Sequence, residues 1–352
     1  MSDEVRTIRA AQPRAQRPDR MRRVDVGGLE LSVLEWGSEA SQPILLAHGG
    51  FDFAGTWDVF APLLASRGLR VIAWDQRGHG DSDVSALYTW EADIRDAAQV
   101  IKSLRLTEPI PVLGHSKGGG MLNQLAEVLP SHIKAVINLD GIPNERGFSN
   151  QVDRSDIHAL DGELKGWLDH RRRSAQVARR ADSIEGLAER RRTMNPRLSV
   201  DWLKYLVTVG ARHDKDGWRW KIDPTLRFGP SGAWRPQWAI PRLKGLRLPY
   251  LGIIGTVKEE MGWGTTPEEA LPILPTGAEF HALAETGHFV HIERPDDVAD
   301  IVGDFLQRAL CKPSFSSMFA AVSLCMSYKT VTDNPSSYFM VLAKVRLLRF
   351  HR

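Results

Sequence analysis

The sequence has few cysteines, and its two, Cys311 and Cys325, both lie near the carboxyl end. The first 310 residues therefore hold no disulfide, which fits a reducing compartment and predicts a cytoplasmic protein. Metal-ligand spacings are missing, and the glycines at 118–120 do not form the G-x-G-x-x-G turn of a dinucleotide site. We therefore expect neither a metal ion nor an organic cofactor.

Long apolar runs and a strong charge imbalance are also missing. No stretch approaches the ~18 apolar residues of a membrane-spanning helix, so we expect no membrane span. The 46 basic and 43 acidic residues leave a net charge of +3. The arginine runs at 171–173 and 190–192 are offset by nearby carboxylates, which favours solvated helix faces and argues against a nucleic-acid partner.

The most informative segment is Gly114-His115-Ser116-Lys117-Gly118, which follows an apolar run at 110–113 and precedes a helical pattern. Glycines two positions before and after a serine let a strand and a helix approach closely and hold the hydroxyl exposed on a tight turn. A serine hydroxyl becomes a good nucleophile when it is held in this way beside a base. Ser116 is therefore the candidate nucleophile.

This segment and several others, in the same order, resemble the α/β-hydrolase superfamily. Residues 44–50 resemble its third strand and oxyanion loop, 71–82 its fourth strand and following turn, and 287–289 its histidine loop. The resemblance covers most of residues 24–310. It implies an α/β fold with a mostly parallel, doubly wound sheet and an inserted helical cap.

The alternation of apolar runs and helical patterns divides the chain into five regions. No apolar signal sequence occurs at the start, which is expected to be a disordered tail. The regions are the tail 1–22, the first part of the hydrolase core 23–140, the cap insertion 141–247, the second part of the core 248–310, and an appendage 311–352 without a predicted structure.

The resemblance implies that His288 is the general base, because it occupies the loop in which the family carries this residue. His291 is the alternative, but it stands where the next helix is expected to begin. His48 resembles a histidine that holds the oxyanion loop, and the turn at 75–81 resembles a structural turn of the fold. Direct chemistry is expected from neither of these.

The acid departs from the common pattern of the family. After the predicted strand 250–255 the sequence has Lys258 where an aspartate is usual, followed by Glu259 and Glu260. Some members of the superfamily carry the acid after the preceding strand instead, where this chain has Asp140. Asp140 is the first choice, because a carboxylate there can hold the histidine tautomer, and Glu259 or Glu260 is the alternative.

The resemblance also places an oxyanion hole and a substrate site. The backbone N–H groups of Lys117 and Gly50 are the candidate donors, with Phe51 as the alternative to Gly50. Aromatic residues of the insertion are candidates for substrate binding, because they suit apolar or ring-containing groups. These are Trp218, Trp220, Trp234 and Trp238.

Together these residues predict a serine hydrolase that cleaves an ester or lactone of a small, apolar substrate through an acyl-enzyme. Serine at the elbow argues against the carboxylate nucleophile of epoxide hydrolases and haloalkane dehalogenases. The same triad also serves C–C bond hydrolases and cofactor-free perhydrolases, and some proteins of this fold are non-catalytic receptors. In each case the expected partner is a small molecule.

Overall fold

A computed structural model describes residues 2–145, 157–177, 179–227 and 238–310. The chain divides into two units, Met1–Ala309 and Leu310–Arg352. The predicted appendage 311–352 lies outside the described residues. The architecture is therefore that of the first unit.

The described residues form a central sheet of eight strands and a separate two-stranded ribbon. In chain order the strands are β1 Arg20–Asp25, β2 Glu30–Trp36, β3 Gln42–Ala47, β4 Leu69–Trp74, β5 Ile110–His115, β6 Ile133–Leu139, β7 Ala211–Asp214, β8 Gly217–Trp220, β9 Tyr250–Gly255 and β10 Glu279–Leu283. The sheet order is β1-β2-β4-β3-β5-β6-β9-β10, and β7 pairs with β8. Only the pairs β1/β2 and β2/β4 of the sheet are antiparallel, which confirms the predicted mostly parallel sheet.

Helices connect the strands and cover the sheet. Those of the described residues are α1 Asp3–Ala10, α2 Phe60–Ala65, α3 Trp90–Ser103, α4 Lys117–Val128, α5 Ile157–Ser174, α6 Ile184–Met194, α7 Val200–Gly210, α8 Ala239–Gly245, α9 Pro267–Ala270, α10 Val290–Glu293 and α11 Pro295–Leu310. Two short 3₁₀ segments, Ala54–Trp57 and Leu271–Ile273, complete the connections.

The central strands are buried along their length, which explains their near-continuous apolar sequences. The main hydrophobic cluster joins them to α3, α4 and α8. Its fully buried members include Leu45, Ile72, Val112, Val136, Met121 and Leu122. This packing fixes the carboxyl ends of β3, β5, β6 and β9, where ligand sites of parallel sheets form.

A second hydrophobic cluster lies in the insertion between β6 and β9. Apolar faces of α6 and α7 pack there against Phe53, which follows β3, and Phe289, which follows β10. Trp218 and Trp220 of the ribbon contact the same cluster. The insertion is therefore packed directly on two loops at the carboxyl edge of the sheet.

The structure differs from the predicted disordered tail at its first residues. Val5, in α1, is buried in the cluster of the insertion, and Ile8 packs against it from the same helix face. The Arg9 guanidinium donates to the backbone carbonyl of Thr208 at 2.8 Å. Two apolar residues three positions apart were too weak a pattern to reveal this helix among the arginines.

Candidate active site

Ser116 lies on a strained turn between β5 and α4. Its φ of 51° and ψ of −120° fall outside the regions that residues with a side chain ordinarily adopt. Its N–H donates to the carbonyl of Leu139 at 2.9 Å, and its carbonyl accepts from Gly120 at 3.2 Å. Such backbone strain costs ~1–3 kcal/mol and clusters at functional sites, where the surrounding structure maintains it.

The glycines of the turn are needed for the close approach of its neighbours. A Cβ added to Gly118 would lie 2.4 Å from the carbonyl oxygen of Ala47. One added to Gly114 would lie 2.5 Å from the carbonyl oxygen of Gly118. Both distances are far below van der Waals contact, so β3, β5 and α4 meet at this turn only because side chains are absent.

We expect Gly114→Ala to lower the free energy of unfolding by about 1–3 kcal/mol, because backbone atoms must move to admit the methyl group. Gly162→Ala in α5 is the matched control, since nothing lies within 4 Å of its added Cβ. That variant should gain about 0.5–1 kcal/mol from helix propensity. Chemical denaturation of both proteins checks the pair, and equal effects would contradict the steric account.

His288 and Asp140 are brought together although 148 positions separate them. The Nδ1 atom of His288 lies 2.5 Å from Oδ2 of Asp140. Asp140 follows β6 with φ of 49°; its N–H donates to Ile253, and its Oδ1 accepts from the N–H of Gly255 at 3.2 Å. The carboxylate is thus held between the ends of β6 and β9, facing the histidine ring.

Glu259 contacts a different part of the same histidine. Its Oε2 accepts the backbone N–H of His288 at 2.5 Å, so it anchors the loop and leaves the ring to Asp140. Burial raises the pKa of Glu259 above its ordinary value, partly offset by this hydrogen bond. Glu260 is exposed at the surface. Of the three candidate acids, all of them described residues, only Asp140 contacts the imidazole.

A second contact joins the histidine loop to the turn that carries Ser116. His115 immediately precedes the serine, and its Nε2 donates to the backbone carbonyl of His288 at 2.9 Å. The rings of His115 and His288 are 4.6 Å apart between centroids. Burial lowers the pKa of His115 well below its ordinary value, which keeps the ring neutral and able to donate through one nitrogen. This role of His115 was not predicted from the sequence.

Gly50 and Lys117, the residues of the candidate oxyanion donors, lie close to each other. A Cβ added to Gly50 would lie 3.8 Å from Cβ of Lys117, and one added to Gly49 would lie 3.4 Å from Cβ of Ser116. The loop after β3 therefore runs alongside the turn of the nucleophile. Phe51, the alternative donor, has a φ of 56° and a side chain that is 44% exposed.

The Lys117 side chain is fixed away from solvent by buried partners. Its Nζ lies 2.8 Å from a carboxylate oxygen of Asp93 and 2.7 Å from Oε1 of Gln76. Gln76 in turn donates to the carbonyl of His48 at 2.7 Å. This chain of contacts ties the start of α4 to the oxyanion loop, and the spacing of its members in the sequence gave no signal for it.

The side chains of His48 and His291 are buried and make structural contacts. The Nε2 atom of His48 accepts the N–H of Gln76 at 2.9 Å, and its Nδ1 bonds the carbonyl of Gly49 at 2.7 Å. His291 packs on Trp57 with ring centroids 4.3 Å apart. Burial lowers the pKa of His291 to about 3, so this ring stays neutral at ordinary pH.

The turn at 75–81 is held by its own aspartate. Asp75 is buried and accepts the N–H groups of Ala54 at 2.7 Å and Asp81 at 2.8 Å. Burial raises its pKa to about 6. Arg77 forms a buried bidentate pair with Asp96, both distances being 2.7 Å. The contacts of these two residues are those of a structural turn.

A cavity of about 430 Å³ opens beside these loops, between them and the insertion. Gly50, Phe51 and Phe289 line one side of it. Of the three candidate tryptophans that the structure describes, only Trp220 lines the cavity. The other candidates differ from Trp220. Trp218 pairs with Asp182 through its backbone, Trp238 stacks with Arg242 and is 43% exposed, and Trp234 lies outside the described residues.

Two further findings concern the described residues alone. They contain no group of three or more histidine, cysteine or carboxylate side chains able to hold a metal ion. No helix among them has the length and apolar character needed to cross a membrane.

Comparison with known proteins matches residues 44–301 to the alpha/beta hydrolase family. A serine hydrolase-like protein of Danio rerio is 30% identical over 284 residues, covering 79% of this chain and 85% of that protein. Another, of Dictyostelium discoideum, is 34% identical over 122 residues, which are 33% of each chain. The thioesterase domain from the curacin biosynthetic pathway has the same fold, with a TM-score of 0.68 at 22% identity over 80% of this chain and 98% of that domain. The chain belongs to the alpha/beta hydrolase family and is a hydrolase of the serine hydrolase and esterase type.

Proposed function

We propose that the protein hydrolyses an ester or lactone of a small substrate, with Ser116 as nucleophile, His288 as general base and Asp140 as the acid that orients it. The observation that carries this proposal is the 2.5 Å contact between Nδ1 of His288 and Oδ2 of Asp140. It leaves Nε2 as the nitrogen available to the serine, as a triad requires. The strained turn at Ser116 supports the assignment of the nucleophile.

The reaction has two halves. In the first, Nε2 of His288 takes the hydroxyl proton while Oγ of Ser116 bonds to the carbonyl carbon, and the resulting tetrahedral intermediate carries an oxyanion. Its collapse breaks the ester C–O bond, and the imidazolium returns the proton to the leaving alcohol. In the second half, His288 deprotonates a water that attacks the acyl-enzyme, the bond between the acyl carbon and Oγ of Ser116 breaks, and the imidazolium returns the proton to Oγ as the carboxylic acid product leaves.

The other residues are proposed to stabilise the charges that form in the reaction or to hold the reacting groups in position. The N–H groups of Lys117 and Gly50 are proposed to bind the oxyanion, and the contacts of the Lys117 ammonium with Asp93 and Gln76 support this by holding the start of α4. Asp140 fixes the histidine tautomer and stabilises the imidazolium. Glu259 is proposed as a positioning residue, because it holds the backbone of the histidine loop.

The insertion 141–247 is proposed to act as the cap that encloses the substrate. Its helix α6 and strand β8 supply several lining residues of the 430 Å³ cavity, while Gly50 and Phe289 supply the face toward the reacting atoms. A cavity of this volume is within the range of small-molecule sites. Leu187, Trp220 and Met261 give part of it an apolar surface for the carbon skeleton of the substrate.

Labelling by a fluorophosphonate probe tests the proposal, because such probes phosphonylate a serine only where a base activates it. We expect stoichiometric labelling of the full chain and, by peptide mass spectrometry, modification of the peptide that contains Ser116. His288→Ala should lose the labelling. Absence of reaction in the native protein, or a modified serine elsewhere, would reject Ser116 as the nucleophile.

A further inference from the structure

The cavity beside the candidate oxyanion loop is rich in arginine. Four of the described residues that line it are arginines, and none of the described lining residues is acidic. The four come from the segment before α6 and from α6 itself: Arg179, Arg180, Arg190 and Arg191. This composition is unlike that of a site for a purely apolar molecule, and it was not expected from the sequence.

Two of these arginines form ion pairs with carboxylates that do not line the cavity. Arg191 is buried, and one of its terminal nitrogens lies 3.0 Å from Oδ1 of Asp52. Arg190 lies 3.2 Å from a carboxylate oxygen of Asp182. The first pair joins the insertion to the loop after β3, so Arg191 has a structural contact. The Nε of Arg190 is buried without a hydrogen-bond partner among the described residues.

The other two arginines have no ion pair with a described carboxylate. Arg179 donates to the backbone carbonyls of Ile222 at 3.2 Å and Asp223 at 3.3 Å, and it is half-buried. The carboxylate of Asp223 accepts hydrogen bonds from the hydroxyl groups of Tyr88 and Thr225. Burial lowers the pKa of Arg179 from its ordinary value, since lost hydration outweighs the attraction of Asp223. Arg180 is exposed, and its backbone carbonyl accepts from the Arg190 guanidinium at 3.4 Å, but its own side chain has no ion pair or hydrogen bond with other described residues.

The cavity therefore carries about two uncompensated positive charges at its wall. Guanidinium groups remain charged at any ordinary pH and match the oxygens of an anionic group in geometry. Partial burial strengthens the attraction of Arg179 for an anion, and hydrogen bonds between charged groups are about twice as strong as neutral ones. A neutral ligand would leave both guanidinium groups without a negatively charged partner.

We propose that this cavity binds an anionic oxygen group, such as a carboxylate, of the substrate, and that Arg180 and Arg179 are the residues that select it. The inference rests on the proposed function, because it places the anionic group in the same cavity as the scissile ester. The apolar residues Leu187, Trp220 and Met261 contact the chain that joins the two groups. The preferred substrate is thus an ester or lactone that also bears a negative charge.

The test compares two esters that differ by one charge, 4-nitrophenyl hydrogen adipate and its methyl ester. We expect the native protein to prefer the charged ester at least about tenfold in kcat/KM, the value of one good charged hydrogen bond. Arg180→Gln should lower the ratio of the two kcat/KM values about tenfold, and Arg180→Gln with Arg179→Gln should lower it further. Arg180→Lys should keep much of the preference, because it keeps the charge.

Arg192→Gln is the matched control. Arg192 lies on α6 beside Arg190 and Arg191, its guanidinium is 3.6 Å from a carboxylate oxygen of Glu189, and it is not one of the described residues that line the cavity. It should leave the ratio unchanged. A ratio near one in the native protein, or an equal fall in Arg192→Gln, would overturn the proposal. About 1 M salt should shrink the preference, since it shortens the range of the attraction to ~3 Å.

A binding measurement separates this inference from the proposed hydrolysis. Calorimetric titration of Ser116→Ala with adipate needs no turnover, and it should give binding that Arg180→Gln weakens about tenfold. If the neutral ester is cleaved through Ser116 but adipate does not bind, the anion site is wrong and the hydrolase mechanism stands. If adipate binds but Ser116→Ala still hydrolyses both esters, the anion site stands and the nucleophile is wrong.

Discussion

Ser116→Ala is expected to abolish ester hydrolysis, with a loss on the order of 10⁴- to 10⁶-fold in kcat, because it deletes the attacking oxygen. The fold should be retained. The substitution removes one oxygen atom from a partly exposed side chain, and its N–H and carbonyl keep their contacts with Leu139 and Gly120. Turnover of 4-nitrophenyl esters, with circular dichroism as the check of folding, measures both parts.

Two variants sharpen this result. Ser66→Ala is the control, because Ser66 follows α2 with its hydroxyl on the carbonyl of Leu63 at the surface, and activity should not change. Ser116→Ala combined with His288→Ala should be little slower than either single variant, since a nucleophile and its base act as one unit. Losses that multiply would mean that the two residues act independently.

The features that were predicted from the sequence are those encoded within short segments. The turn at Ser116 is encoded by five consecutive residues, and in the structure its backbone is strained, as such a turn requires. The strand Tyr250–Gly255 has the predicted bounds, because a buried parallel strand is a plain apolar run between turns. Order along the chain then placed these elements in the alpha/beta hydrolase family.

The features that were missed depend on contacts between distant segments. The arginines at 190 and 191 read as a solvated run, yet Arg191 is buried against Asp52, which is 139 positions away. Nothing in a run of like charges tells which members face a cavity. The same holds for His115, whose donation to the His288 carbonyl spans 173 positions.

The acid of the proposed triad could be predicted from the sequence only in part. The resemblance to the superfamily, together with the position of Asp140 at the end of an apolar strand, made Asp140 one of three candidates. Choosing among them needs the positions of two loops relative to His288, a property of the sheet order β6-β9-β10 and not of any one segment. In the structure Asp140 contacts the imidazole and Glu259 the backbone, so the two carboxylates are proposed to have separate roles.

These separate roles predict losses of very different size for two conservative substitutions. Asp140→Asn should cost on the order of 10⁴-fold in kcat, because the amide favours the wrong histidine tautomer and removes the charge that stabilises the imidazolium. Glu259→Gln should cost less than about tenfold. Its amide oxygen can still accept the backbone N–H of His288, at the price of the stronger charged hydrogen bond.

Both variants keep the size of the side chain, so steady-state kinetics of the folded proteins compares charge and hydrogen bonding directly. Glu260→Gln serves as the control, since Glu260 is exposed and should have no effect. A severe defect in Glu259→Gln beside a nearly unimpaired Asp140→Asn would reverse the assignment, because the 2.5 Å contact would then be structural.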